Sequence, residues 1–257
     1  MLLQILLSIF LTIILYTIAP IAVGGLENLP NYLEWIVAGA PILSTLLLTS
    51  HELTEYEKRR TVQEILTYLP TKTITIFFTS NITVLLLTLT SSLYRGYVYK
   101  EVFQHYLEQT IMIRGYWLLT YHFSEIFRHN LNLALSMATL SILAPYVGAA
   151  LLTRNYIIAG VYIAEATSQH GVMGGVATIL TLLPHYILEM LGFTQGVIAG
   201  LLFYKKLLAR EQINYDDVKL LLLILLQAAL FLLIAAIFEV TISPLIAYIF
   251  RNYLPSF

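Results

Sequence analysis

His185 and Glu189 stand one helical turn apart in the apolar stretch that runs from Leu183 past Gly200. A histidine and a carboxylate are suited to holding or passing a proton, and in hydrocarbon each must find a donor, a cation or a proton. Glu239 lies in a second apolar stretch, and Glu165, Gln169 and His170 lie in a third. Three chemistries stay open for this polar set. It can be a cluster that fixes helix register through hydrogen bonds. It can be a path for protons or ions. It can be a metal site, but His-Glu-x-x-His is absent and no compact three-ligand set appears in the sequence, so no metal and no cofactor is assigned.

Other chemistries have less to stand on. There is no cysteine and no Gly-x-Ser-x-Gly, so no catalytic residue is named and the chain is expected not to be an enzyme. Walker and dinucleotide fingerprints are absent as well, which leaves any energy source to a partner protein.

A helix carries His185, Glu189, Gly192, Gly196 and Gly200 at i, i+4, i+7, i+11 and i+15, on one face. The glycines form Gly-x-x-x-Gly-x-x-x-Gly, a groove that lets another helix approach backbone to backbone. That second helix belongs either to this chain or to a partner subunit, a second copy included.

The elements that must hold these residues are membrane helices. Apolar residues make up 58 % of the 257-residue chain and charged ones 11 %, with a mean hydropathy of +0.79. Such a balance fits an all-α, polytopic membrane protein in the lipid bilayer of the cell membrane. The net charge of −1 gives no basic face for nucleic acid. The apolar N-terminus has no basic region ahead of it and no cleavage site of small residues, so it reads as a retained span.

Hydropathy predicts seven spans, near 2–23, 33–50, 73–93, 131–152, 156–180, 184–204 and 218–249. The fifth holds Glu165, Gln169 and His170 followed by Gly171, Gly174 and Gly175, a pattern that suits a broken or re-entrant helix. The chain then divides into three N-terminal spans (1–93), an interfacial connection (94–130) and a four-span region (131–257), all in one membrane domain. In the connection, Tyr116, Trp117, Tyr121, Phe123 and Phe127 mixed with Arg114, Glu125 and Arg128 suit a helix lying in the membrane interface. Asn130 is expected to cap the fourth span.

Loop charge sets the expected orientation. Lys58, Arg59, Arg60, Lys72, Arg154, Lys205, Lys206, Arg210 and Lys219 fall on one side of a seven-span chain, and Arg95, Lys100, Arg114, Arg128 and Arg251 on the other. The positive-inside rule puts the first group, with the N-terminus, in the cytoplasm and the C-terminus outside.

Several pieces occur in an order that resembles a known family. They are Phe127-x-x-Asn130, Asn155-Tyr156-Ile157-Ile158-Ala159-Gly160, Pro184-His185-Tyr186-Ile187-Leu188-Glu189, the glycines to Gly200, and Glu239-x-Thr241-x-x-Pro244. Over about 120–250 the chain resembles the stage II sporulation protein M family. The family usually has Gly where this chain has Tyr186, and paired asparagines where it has His129 and Asn130. The resemblance implies a membrane scaffold in a multiprotein envelope-remodelling machine, and it marks His185, Glu189 and Glu239 as important.

A shorter segment, Glu57-x-x-Arg60-Thr61-x-x-x-Ile65-Leu66-x-x-Leu69-Pro70, resembles the loop by which ABC-2 type permeases dock on a separate ATPase. An ordinary interfacial helix ended by Pro70 is the simpler account of the same segment. On the docking reading, Glu57, Arg59, Arg60 and Pro70 meet a cytoplasmic ATPase. The expected function is a non-catalytic subunit, scaffold or conduit, working with other membrane subunits, with DNA import a candidate process. The alternatives are a permease subunit that exports a small molecule or lipid and, last, an intramembrane metal-dependent enzyme.

Overall fold

The computed structural model describes residues 2–25, 28–48, 71–94 and 123–253, and these residues are helical with no strand. The helices are α1 (Leu2–Ala22), α2 (Leu29–Val37), α3 (Gly39–Leu48), α4 (Thr71–Tyr94), α5 (Phe123–Leu143), α6 (Pro145–Leu208) and α7 (Tyr215–Tyr253). Four of them, α1, α4, α6 and α7, are long and apolar enough to cross a bilayer. The chain is a helical membrane protein.

Helix α6 has 64 residues and would measure about 96 Å if straight, three times the hydrocarbon thickness. It is not straight. Gly171 has φ 68 and ψ −170, a left-handed backbone that favours glycine, and the chain reverses there. The reversal brings Tyr186 back to Asn155, whose carbonyl accepts its hydroxyl proton at 3.3 Å, and lays Gly175 on Thr167. α6 is therefore a hairpin of a first arm (145–170) and a second arm (172–208).

This corrects two of the spans expected from hydropathy. The stretch 131–152 does not run through: Ala144 is extended (φ −152, ψ 98) and Pro145 opens the next helix. Proline disfavours the α conformation in the residue before it, and at a helix start its missing N–H costs nothing. The stretch 156–180 is interrupted at Gly171. Arg154 thus sits within the first arm, not in a loop. The second span is likewise divided, into α2 and α3, because Pro41 cannot donate to the carbonyl of Val37.

Residues 123–130, expected in an interfacial connection, are the first two turns of α5, with Ile126 fully buried. The rest of that connection, including Tyr116 and Trp117, and the segment 57–70 lie outside the described residues.

Helix directions follow from the contacts. α1 and α4 run parallel: Ser8 bonds Ser80, and Tyr16 meets Thr88 at 3.2 Å. α4 and the first arm also run parallel, with Thr153 donating to Asn81 at 3.1 Å and Gly160 against Leu85 and Thr88. α5 runs parallel to the second arm, since Ala134 packs on Gly196 and Ala138 on Gly200. α7 runs antiparallel to the second arm, from Lys206–Asp217 (2.9 Å) to His185–Ser243 (2.8 Å).

The start of α7 is fixed by a reciprocal cap. Asn214 accepts from the Asp217 backbone at 3.0 Å while Asp217 accepts from the Asn214 backbone at 2.9 Å, and Lys206 neutralises the buried Asp217. The main core lies where the α6 hairpin meets α4, α5 and α7, around Tyr156, Phe193, Val197 and Leu232.

Candidate functional site

The second arm of α6 presents its polar residues to two neighbours. Glu189 accepts a hydrogen bond from the Asn130 side chain of α5. On its other flank Glu239 of α7 lies within electrostatic reach. One turn away His185, 7 % exposed, bonds through Nδ1 to the hydroxyl of Ser243 on α7, and that hydroxyl also bonds the Thr181 carbonyl at 2.9 Å. Asn130, Glu189, His185, Ser243 and Glu239 thus tie three helices together near the middle of the second arm.

Each carboxylate and imidazole would be costly in hydrocarbon if left alone. Here each bond made crosses from one helix to another, so breaking it separates helices. Tyr186 completes the cluster from below, its ring edge-on to Tyr156 at 5.8 Å between centroids. Two prolines flank the His185–Ser243 bond. Pro184 precedes His185 and Pro244 follows Ser243, and each removes a backbone donor and loosens its helix at that level.

The residues expected to form one polar set fall in two places. Glu165 and His170 do not join Glu189. Glu165 accepts from Gln169 at 3.0 Å, and both line a cavity of about 290 Å³ with His170, Tyr162, Thr178 and Thr181. That cavity opens between the two arms and α7, near the Gly171 turn. Among the described residues no group of three or more His, Cys, Asp or Glu side chains could hold a metal ion.

The glycines do pack helices, but not in one groove. A Cβ at Gly192 would sit 2.8 Å from Leu232 of α7, whereas one at Gly196 would sit 2.7 Å from the Ala134 carbonyl oxygen of α5. One at Gly200 would overlap the Ala138 carbonyl oxygen, also of α5. Both faces are occupied by helices of the same chain.

Asn130 is the residue of the candidate site that capping logic misassigns. It lies eight residues into α5, at 7 % exposure, and caps nothing. The family pattern Phe127-x-x-Asn130 carries the signal; local capping rules do not. Ser243 had no signal of its own, because a serine inside a membrane helix ordinarily bonds its own backbone.

No curated protein and no solved structure matches this chain. The profile of the stage II sporulation protein M family matches residues 91–244. That range runs from the last turn of α4 through Asn130, His185 and Glu189 to Ser243 and Pro244, and takes in more than half of the sequence. The chain belongs to the stage II sporulation protein M family.

Proposed function

We propose that this protein is a non-catalytic, multi-pass subunit of a multiprotein envelope machine, a scaffold or conduit driven by a separate cytoplasmic ATPase. One observation carries the reading. The polar residues of the family region bond helix to helix: Asn130 on α5 to Glu189 on α6, and His185 on α6 to Ser243 on α7. A side chain used in this way serves to hold a rigid bundle. DNA import is the process to test first, with DNA as cargo and other membrane subunits as neighbours.

The reading includes an orientation. On this reading the described residues make seven passes: α1, the α2–α3 pair, α4, α5, the two arms of α6, and α7. One end of the bundle carries the connections after α5 and α6, with Lys205, Lys206 and Arg210, and the end of α3, after which the sequence runs on to Lys58, Arg59 and Arg60. That end is cytoplasmic by the positive-inside rule, and so is the N-terminus. Cysteines replacing exposed Gln212 should resist a membrane-impermeant thiol reagent in intact cells. Cysteines replacing Val172 at the hairpin turn should react. Labelling of position 212 from outside, with 172 protected, would reverse the orientation.

Docking of the ATPase is assigned to Glu57, Arg59, Arg60 and Pro70. Charge reversal at Arg59 and Arg60 to Glu should abolish co-purification of the motor and uptake of extracellular DNA, with the protein still accumulating in the membrane. Co-purification of an ABC-type ATPase, with DNA uptake untouched, would instead favour the permease. Unchanged co-purification and unchanged uptake would remove docking from this segment.

A further inference from the structure

A hydrogen-bonded chain runs from the wall of the cavity near Gly171 through Ser243 to His185, one helical turn short of Glu189, and that chain carries an inference about protons. We propose that Glu189 holds a proton that exchanges with water through this cavity, from the side of the membrane that carries the Gly171 turn. The inference goes beyond the scaffold reading and does not depend on which machine the protein serves.

The cavity is large enough for several waters, at about 30 Å³ each, and Glu165, Gln169, His170 and Thr178 give those waters polar partners. Thr181 is part of its wall, and the Thr181 carbonyl can only accept, so the Ser243 hydroxyl donates to it. A hydroxyl has one proton. Ser243 must therefore accept from His185, which places a hydrogen on Nδ1 and leaves Nε2 as the basic nitrogen of the neutral ring. Glu189 is one turn further, about 6 Å along the helix axis. The whole step from cavity wall to carboxylate is short enough for a few waters and the imidazole to bridge.

Glu189 has reason to hold the proton. It is half-buried beside a second carboxylate, Glu239, and two neighbouring carboxylates in a low-dielectric setting share a proton instead of both ionising. Asn130 donates to Oε1 from α5, and that bond suits either protonation state. The other titratable groups facing this point are His185 and Tyr186 on the same helix, and Tyr156 of the first arm behind Tyr186. The nearest further charges along those helices are Arg128 and His129 on α5 and Arg154 on the first arm.

Toward the opposite end of the bundle the helices are closely packed, with Thr194 and Gln195 buried among apolar side chains. Met190, Phe193, Val197, Leu201 and Leu232 are all at most 2 % exposed. Access is thus one-sided. In the exchange, the Glu189 O–H bond breaks as an O–H bond forms on the accepting water, or an N–H bond on His185 Nε2 where the imidazole relays the proton, and the reverse transfer from solvent restores the carboxyl.

Infrared spectroscopy of the purified protein in lipid nanodiscs, transferred into D₂O, tests this. A protonated carboxyl gives a carbonyl band that shifts on deuteration. At neutral pH the native protein should show the band, E189Q should lose it, and deuteration should finish within mixing. The chain has no cysteine, so a T178C variant can be plugged with a bulky maleimide, with Q212C at the other end as control. Plugging T178C should delay deuteration into a resolved slow phase, and alkylating Q212C should not. Absence of the band, its survival in E189Q, or exchange indifferent to the T178C plug overturns the proposal. Should E189Q fail to accumulate folded, E239Q replaces it, because losing that neighbour must shift the Glu189 band or abolish it by freeing Glu189 to ionise; an unchanged band overturns the proposal equally.

Discussion

A G200A protein should lose about 3 kcal/mol of stability, the upper end of the cost of overpacking, although it adds a single methyl group. The added Cβ would overlap the Ala138 carbonyl oxygen and press on Ser141 and Ile142. Two of those contacts involve backbone, which cannot swing aside as a side chain can, so α5 itself must move. G196A should cost slightly less, with its Cβ 2.7 Å from the Ala134 carbonyl oxygen. G192A meets only the flexible end of Leu232 at 2.8 and 2.9 Å and the Ala228 oxygen at 3.2 Å, and should cost the least. Unfolding in mixed micelles followed by circular dichroism gives the order directly. Equal effects at all three positions would mean that α5 is not seated on the second arm as described.

That series also explains what the glycine pattern hides. Residues spaced by four on an α-helix advance 400°, so each glycine is rotated by about 40° from the last. From Gly192 to Gly196 that drift of about 40° is enough to turn from α7 to α5, and Gly200 continues on α5. A stripe that reads as one groove therefore serves two neighbours. The sequence makes the close approach legible, and only the packing reveals which helix approaches.

The other differences have similar causes. Apolar content announces membrane helices but says little about where one ends and the next begins, since the residues around Ala144 are as apolar as those in the helices they separate. Pro145 and Gly171 were the available punctuation, and the structure breaks the chain at both. Asn130 was hidden because Glu125, Arg128 and His129 before it look like the end of a loop, whereas they ride on the first turns of α5. His185 and Glu189 were legible because ionisable side chains in an apolar run stand out without any knowledge of the fold. Ser243, their counterpart on α7, is an ordinary residue until the helices are brought together.

Glu189→Leu should remove about 1–2 kcal/mol, the scale of hydrogen bonds between membrane helices, because it leaves the Asn130 amide without its acceptor. Glu189→Gln should leave stability nearly unchanged. The Gln carbonyl can still accept from Asn130, and its NH₂ can donate toward Glu239, as a protonated carboxyl would. H185A and S243A should each loosen α7 from the second arm, and the double variant should cost less than the sum of the two singles, because both remove the His185–Ser243 bond while S243A alone also removes the bond to Thr181. Unfolding curves for the five variants, together with activity of the intact machine, separate two roles for Glu189. A stable and active Gln variant assigns the residue to the clasp alone. A stable but inactive one makes the exchangeable proton the functional element, because hydrogen bonding survives the substitution and the ability to ionise does not.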